Sequence, residues 1–165
     1  MINTFFIGDT HFGHANIIGF CRPQFNNLDE MHEHIVTKWN SVVRPKDKVM
    51  FMGDFCMNKK YIAEFAPQLN GVKHIVLGNH DQKDMQLYQK YFQNVFGCTG
   101  YKGCVLTHIP IHESQFYRWK LNIHGHMHEK SIDDPRYFNV SCEQINYTPI
   151  EWEEIKEQRK EYFLP

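Results

Sequence analysis

Aspartate, histidine and asparagine side chains recur in this sequence directly after apolar runs. Seven of them are candidate metal ligands: Asp9, His11, Asp54, Asn79, His108, His126 and His128. Oxygen and nitrogen donors of this kind suit Mn, Fe, Zn, Co or Ni. Seven donors exceed what one ion needs, so the sequence predicts a two-metal centre. Such a centre can hold a hydroxide and the oxygens of a phosphoryl group during in-line displacement.

The spacing of these residues also favours shared sites. Asp9 and His11 lie two residues apart, so both side chains can point to one side of an extended segment. His126 and His128 have the same spacing. Each pair is therefore expected to grip one ion or two adjacent ions.

Three apolar runs predict the central strands that position these residues. They cover residues 3–8, 48–53 and 72–78, and each ends in glycine followed by polar residues. In open α/β sheets, ligands bind beyond the carboxyl ends of the strands, so the three following loops are expected at one edge. Residues 107–108 and 125–128 fit the same edge.

Segments with helical periodicity lie between these strands. The run over residues 28–42 follows an Asn27 cap with Glu30 three positions later, which predicts a helix with a capping box. Residues 62–69 and 81–92 predict two more helices. The alternation of strand and helix through residue 92 indicates right-handed crossovers and a largely parallel sheet.

The second half of the chain is predicted to be richer in strands. Residues 95–100, 104–108, 121–124 and 137–142 are the candidate strands, with little obvious helix among them. At the end, Thr148 to Glu151 has the pattern of a capping box with proline at the first helical position. A final helix is therefore expected to begin there, with Trp152 and Ile155 on its buried side.

Size and charge limit the classes of function. The chain has 165 residues, which predicts a single domain over residues 1–165. Eighteen basic and nineteen acidic side chains give a net charge of -1. That balance provides no general basic field for an extended nucleic acid or an anionic membrane, so nucleic acid is expected only as a substrate.

The sequence also indicates a compartment. It shows no basic start, long apolar stretch or small-residue cleavage site of a secretory signal, and no apolar run of membrane-spanning length. The five cysteines are odd in number and have no CxxC spacing, which favours reduced thiols. We therefore predict a cytoplasmic protein, in the host cytoplasm if a phage encodes it.

The ordered motifs resemble those of the calcineurin-like metallophosphoesterases. The matching blocks are Asp9-x-His11, Gly53-Asp54, Gly78-Asn79-His80-Asp81, His108 and Gly125-His126-x-His128. The stretches DTHFGHANII, FCRPQF, WNSVV, LTHIP and NIHGHMH look like the small single-domain members of bacteria and phages. The resemblance implies an α/β fold, with a sandwich of two mixed β-sheets flanked by helices.

The resemblance also implies how the ligands are divided. The positions of Asp9, His11 and His128 would bind the first metal. Those of Asn79, His108 and His126 would bind the second metal, and the position of Asp54 would bridge both. Two divalent ions are expected, with Mn first and Fe, Zn, Ni or Co as alternatives.

A catalytic role is implied for two further positions. His80 would stand by the phosphate, either donating a proton to the leaving oxygen or stabilising the transition state. Asp81 would orient the His80 ring through its far nitrogen. The implied reaction is hydrolysis of a phosphodiester or phosphomonoester by attack of a hydroxide that bridges the two metals.

Contacts to the substrate are less defined by the sequence. His14 lies three residues after His11, so a contact with substrate phosphate and a local hydrogen bond are both open. Arg22 could clamp a phosphate or form a surface salt bridge. Several aromatic side chains could stack on a nucleobase, although core packing or a dimer surface is the default: Phe12, Phe20, Phe116, Tyr117 and Trp119.

Three functions remain open at this point. The first is an enzyme acting on a small phosphoester, such as a nucleotide. The second is an enzyme that processes nucleic-acid ends, as a phosphatase or nuclease. The third is a scaffold that keeps the fold and its metals to bind a partner. A homodimer is also open.

Overall fold

A computed structural model describes residues 1–81 and 84–164. The strands are β1 (Thr4–Ile7), β2 (Lys48–Phe51), β3 (Val72–Val76), β4 (Asn94–Phe96), β5 (Thr99–Tyr101), β6 (Cys104–Leu106), β7 (Leu121–His124), β8 (Tyr137–Asn139) and β9 (Ile150–Glu151). The α-helices are α1 (Asn16–Cys21), α2 (Leu28–Val42), α3 (Lys60–Phe65), α4 (Met85–Tyr91) and α5 (Trp152–Gln158). Short 3-10 helices cover Ala66–Gln68, Glu113–Tyr117 and Lys160–Tyr162.

The described strands form two mixed sheets. In the first, of order β4-β3-β2-β1-β9, strands β1 to β4 are parallel and β9 is antiparallel to β1. In the second, of order β5-β6-β7-β8, strand β5 is antiparallel to β6 and the other pairs are parallel. The implied α/β sandwich and the parallel arrangement of the first half are confirmed.

Alternate residues of β1 enter two different apolar cores. Phe5 and Ile7 pack in one cluster with buried residues of α2. Phe6 packs in the other cluster, with residues of the second sheet such as Leu106 and Ile123. Because both faces of β1 are covered, its sequence is a continuous apolar run. The strand thereby holds its carboxyl end, and the residues after it, at a fixed place.

Helix α2 begins and ends where its sequence predicts. The Asn27 side chain accepts a hydrogen bond from Glu30 N at 2.9 Å, and the buried face carries Met31, Ile35 and Trp39. This cap satisfies one of the amides that the first helical turn leaves unpaired. The helix therefore covers one face of the first sheet as a single 15-residue element.

The next two helices are shorter than predicted. The segment predicted over residues 62–69 is α3 followed by a 3-10 turn that contains Pro67, which cannot donate to a helical hydrogen bond. Helix α4 begins at Met85, where Asp84 accepts a hydrogen bond from Leu87 N at 3.1 Å. Asp81 lies before this helix, and residues 82 and 83 of the predicted helix lie outside the described residues.

Two predicted elements are wrong. The strand predicted over residues 95–100 is divided, because β4 belongs to the first sheet and β5 to the second. The final helix begins at Trp152, since Ile150–Glu151 pairs with Phe5 and Phe6 as β9. Pairing this segment covers the open edge of β1 and buries Ile150. Trp152 and Ile155 are buried, as the sequence predicted.

The two sheets are joined at their carboxyl ends. Gly8 forms a parallel bridge with Ser141, and Gly8 N donates to Val140 O at 2.8 Å. This connection lies directly before Asp9 and directly after β8. Among the described residues, no helix has the length and apolar character to cross a membrane. All five cysteines are free thiols.

Candidate metal centre and active site

The predicted ligands lie in the loops that follow strands β1, β2, β3, β6 and β7. Donor atoms of Asp9, His11 and His128 lie within 4.8 Å of one another. Donor atoms of Asp54, His108 and His126 also lie within 4.8 Å of one another and form a second group. The structure thus brings together all three residues expected at the first metal and, with Asp54, two of those expected at the second.

Asp54 stands between the two groups. Its Oδ2 lies 3.6 Å from His11 Nε2 and 3.2 Å from His108 Nε2. Burial alone would raise the pKa of Asp54, but the hydrogen bond with His108 and the neighbouring imidazoles lower it. A carboxylate in this place can serve both donor groups.

The second group also includes Asn79. Its Oδ1 lies 3.0 Å from His108 Nε2, and His126 Nδ1 lies 3.2 Å from the same nitrogen. His108 Nδ1 donates to Met52 O at 2.7 Å, which leaves Nε2 as the nitrogen that can bind a metal. Donors from three loops therefore converge on one point.

These residues fit two divalent ions. His11 is buried, and neither of its ring nitrogens has a hydrogen-bond partner among the described residues. An unsatisfied buried nitrogen costs about 1–3 kcal/mol, so a folded protein rarely keeps one without a use. A metal ion at the first group would satisfy His11, and oxygen and imidazole donors suit such ions.

The backbone at the ligands is unusual. The proposed ligands with φ in the left-handed region are Asp9 (59°), His11 (50°), Asp54 (56°), His126 (71°) and His128 (51°). Non-glycine residues adopt this conformation rarely and at a cost in free energy. Strain of this kind is concentrated at functional sites, so its presence at five proposed ligands favours a site that is shaped for binding.

Backbone amides donate hydrogen bonds to the carboxylates of Asp9 and Asp54 and hold them in place. His126 N donates to both oxygens of Asp9 at 3.1 and 3.0 Å, and His80 N donates to Asp54 Oδ1 at 2.8 Å. A Cβ at Gly125 would collide with Asp9 Oδ2, and one at Gly78 would collide with Asp54 Oδ1. Glycine is therefore required at both positions.

Asp81 has a different role from the predicted one. Its Oδ2 accepts from Asp54 N and Gly78 N at 2.8 Å, and its Oδ1 accepts from Phe55 N at 2.9 Å and Tyr88 Oη at 2.8 Å. The hydrogen bonds that Asp81 makes to described residues do not include one to the His80 ring. Asp81 ties the loops after β2 and β3 together and so positions Asp54.

His80 and His14 lie beside the first donor group. The His80 ring is exposed, and its centroid is 5.6 Å from that of His11. The His14 ring is 5.4 Å from His11 and 6.3 Å from His80. Burial and the neighbouring histidines lower the pKa of His14. Both rings can therefore reach a phosphate held at this group.

Arg22 does not lie where a phosphate clamp would. Its side chain is 0% exposed, and its hydrogen bonds go to the backbone oxygens of Asp9 and Thr10 and to Glu143. All of these partners lie inside the protein. The predicted contact with substrate is thus replaced by a structural one.

Sequence reasoning missed Glu143. Its Oε1 lies 3.1 Å from His128 Nδ1. Burial alone would raise its pKa, but His128 and Arg22 lower the pKa of Glu143 to about 2. Burial likewise opposes the charge on His128, yet the hydrogen bonds with Cys21 and Glu143 raise the pKa of His128 to about 10. A signal was present, because Glu143 follows an apolar strand as the other site residues do.

Comparisons with known proteins found a matching family model and similar sequences. A family model described as calcineurin-like phosphoesterase matches residues 2–163. The uncharacterized protein MJ1445 of Methanocaldococcus jannaschii is 38% identical over 162 residues, covering 91% of this chain and 87% of that protein. The gene 66 protein of Mycobacterium phage L5 is 27% identical, with 80% of each chain covered.

A solved structure is similar over almost the full length. The crystal structure of AQ665, a protein of unknown function from Aquifex aeolicus, matches with a TM-score of 0.76 at 28% identity. The match covers 95% of this chain and 99% of that one. The similarity therefore extends over nearly the whole fold.

The left-handed backbone predicts an unusual pattern of stability. His126→Gly should be more stable than His126→Ala by about 1 kcal/mol, because only glycine adopts this conformation without strain. Both variants lose the same exposed imidazole, so the difference between their free energies of unfolding measures the backbone strain at residue 126. Urea unfolding monitored by tryptophan fluorescence measures it.

His34 provides the matched control for this comparison. It lies in the interior of helix α2, where alanine carries no strain. There the glycine variant should be the less stable of the two. If His126→Ala were as stable as His126→Gly, the backbone at His126 would not be strained.

The division of ligands predicts different metal losses. Asp54→Asn should lower the occupancy of both sites, because Asp54 faces both donor groups. His128→Ala should mainly empty one site, so that about one manganese per chain remains. Elemental analysis after dialysis against a fixed Mn²⁺ concentration measures this ratio, and equal losses in the two variants would contradict the division.

Proposed function

We propose that this chain, which belongs to the calcineurin-like phosphoesterase family, hydrolyses small phosphate esters with two divalent ions. One observation carries the proposal: the Asp54 carboxylate lies next to histidines of both donor groups, and the exposed His80 stands beside them without belonging to either group. A site that only stored metal would have no use for His80 in that place.

The described residues support a division of the proposed ligands between two ions. Asp9, His11 and His128 would hold one ion, and Asn79, His108 and His126 the other, with Asp54 shared. Bound ions of this type lower the pKa of water, neutralise phosphoryl oxygens and orient the phosphate. Manganese is the ion we propose first, with Fe, Zn, Ni or Co as alternatives, since oxygen and imidazole donors suit all of these ions.

His80 would act on the phosphate side of the centre. Its backbone N donates to Asp54 Oδ1 at 2.8 Å, so the position of His80 is tied to that of Asp54. Its exposed ring can donate a proton to the leaving oxygen or hydrogen-bond a phosphoryl oxygen. His14 would hold a second phosphoryl oxygen.

The surface next to the centre supports a nucleotide or another small ester with a flat group. A groove beside His126 and His128 is bordered by Phe20, Pro110 and Met127. Phe20 is 74% exposed, and its ring lies 6.2 Å from that of His14. An exposed aromatic ring offers a face on which a nucleobase can stack.

Hydrolysis of bis-p-nitrophenyl phosphate with added Mn²⁺ tests the proposal. His80→Ala should lower kcat by about 10²–10⁴-fold, the usual contribution of a positioned acid or base, while both metal sites stay filled. His34→Ala, which removes an imidazole from α2 instead, should keep full activity. A panel of nucleotide monoesters and diesters would then identify the preferred ester.

The opposite result would favour a scaffold. If wild-type protein with two bound ions hydrolysed no monoester or diester faster than His80→Ala, the enzyme proposal would fail. Loss of metal from His80→Ala would also contradict it, because His80 would then be a ligand.

A further inference from the structure

Glu143 is a buried carboxylate that contacts His128 of the first donor group directly and is linked to the Asp9 loop through Arg22. Its side chain is 6% exposed. Oε1 lies 2.7 Å from Arg22 Nε, 3.1 Å from His128 Nδ1 and 3.4 Å from Cys21 Sγ. One oxygen therefore serves three neighbours, while Oε2 is buried without a partner among the described residues.

Through His128, this carboxylate sets the state of a proposed ligand. A carboxylate only accepts hydrogen bonds, so His128 must place its proton on Nδ1, leaving Nε2 as the metal-binding nitrogen. The carboxylate also makes the ring a stronger electron donor. This is the same arrangement that Met52 O provides for His108, but with a full negative charge.

Through Arg22, the same carboxylate reaches the loop that carries Asp9. Arg22 Nη1 donates to Thr10 O at 3.0 Å, and Nη2 donates to Asp9 O. Asp9 has a φ of 59°, so these bonds hold a backbone turn that is otherwise unfavourable. The planar guanidinium can join two carbonyls and one carboxylate, which lysine cannot do.

A role in stability alone explains this arrangement poorly. Buried ion pairs are often no more stabilising than apolar side chains of the same size, because both charges lose their hydration. The buried Oε2 adds a further cost. The ion pair of Arg22 and Glu143 does, however, fix the Asp9 loop and His128 relative to each other, although they are far apart in sequence.

We propose that Glu143 is a positioning residue for the first metal site, orienting His128 directly and the Asp9 turn through Arg22. The inference rests on the metal ligation in the proposed function and not on hydrolysis. It assigns a role to the loop after β8, which the sequence motifs leave without one.

Calorimetric titration of the metal-free protein with Mn²⁺ tests this role. Glu143→Gln keeps the size of the side chain but removes its charge. It should weaken the first site by about 10–100-fold, the usual effect of losing a partner of a metal-bound histidine, and leave the second site within twofold. His128→Ala, titrated in parallel, identifies which binding step belongs to the first site.

Cys21→Ala is the matched control. It removes a thiol that contacts Glu143 Oε1 and His128, but it keeps the charge of Glu143 and its hydrogen bonds with His128 Nδ1 and Arg22 Nε, so both affinities should stay within twofold. Equal weakening of both sites in Glu143→Gln, or of neither, would overturn the proposal. A loss in Cys21→Ala as large as that in Glu143→Gln would overturn it as well, because the thiol would then be a ligand.

A measurement on the wild-type protein avoids any effect of substitution on folding. Long-range ¹H–¹⁵N spectra of the Zn²⁺-loaded protein should show His128 with its proton on Nδ1. A proton on Nε2 with an unprotonated Nδ1 would overturn the proposal. Protein that binds two ions but hydrolyses no ester would overturn the proposed function and leave this inference intact.

Discussion

Buried carboxylates close to one another are the constraint on which the rest of this structure depends. Asp9 and Asp54 are both buried at the carboxyl ends of β1 and β2, and each must be kept charged to bind a metal. Backbone amides of His126 and His80 stabilise them, and Asp81 holds the loop amides in place. The remaining negative charge is what two divalent ions would neutralise.

This constraint explains why the loops at the carboxyl ends of the strands contain features that lower the stability of the fold. Glycine is required at Gly78 and Gly125, where the backbone approaches the carboxylates. Several of the proposed ligands have a left-handed backbone, and neither ring nitrogen of His11 has a hydrogen-bond partner within residues 1–81 and 84–164. The apolar packing on both faces of β1 offsets these costs. A stable frame thus supports a site that bound divalent ions would stabilise.

Sequence reasoning succeeded where local pattern and tertiary structure agree. The cap at Asn27, the apolar period of α2 and the glycine-closed strands each predicted the observed element. It failed at Ile150, where an apolar residue in a plausible capping box instead covers the edge of β1. Local sequence does not show which strand edge needs a partner, so only the full topology decides between helix and strand there.

The same limit applies to the site. The candidate ligands followed from residue type and position, but the roles of Asp81 and Arg22 depend on contacts between distant loops. Glu143 was missed because a single glutamate after a strand carries little information without the histidine it contacts. Residues that bind directly are easier to predict than residues that act through others.

Anomalous diffraction at the manganese edge, from crystals grown with MnCl₂, tests the central claim most directly. We expect two peaks, one among Asp9, His11 and His128 and one among Asn79, His108 and His126, with Asp54 contacting both. A single peak, or a peak between Cys21 and Glu143 in place of the first, would contradict a two-metal centre built on a shared aspartate.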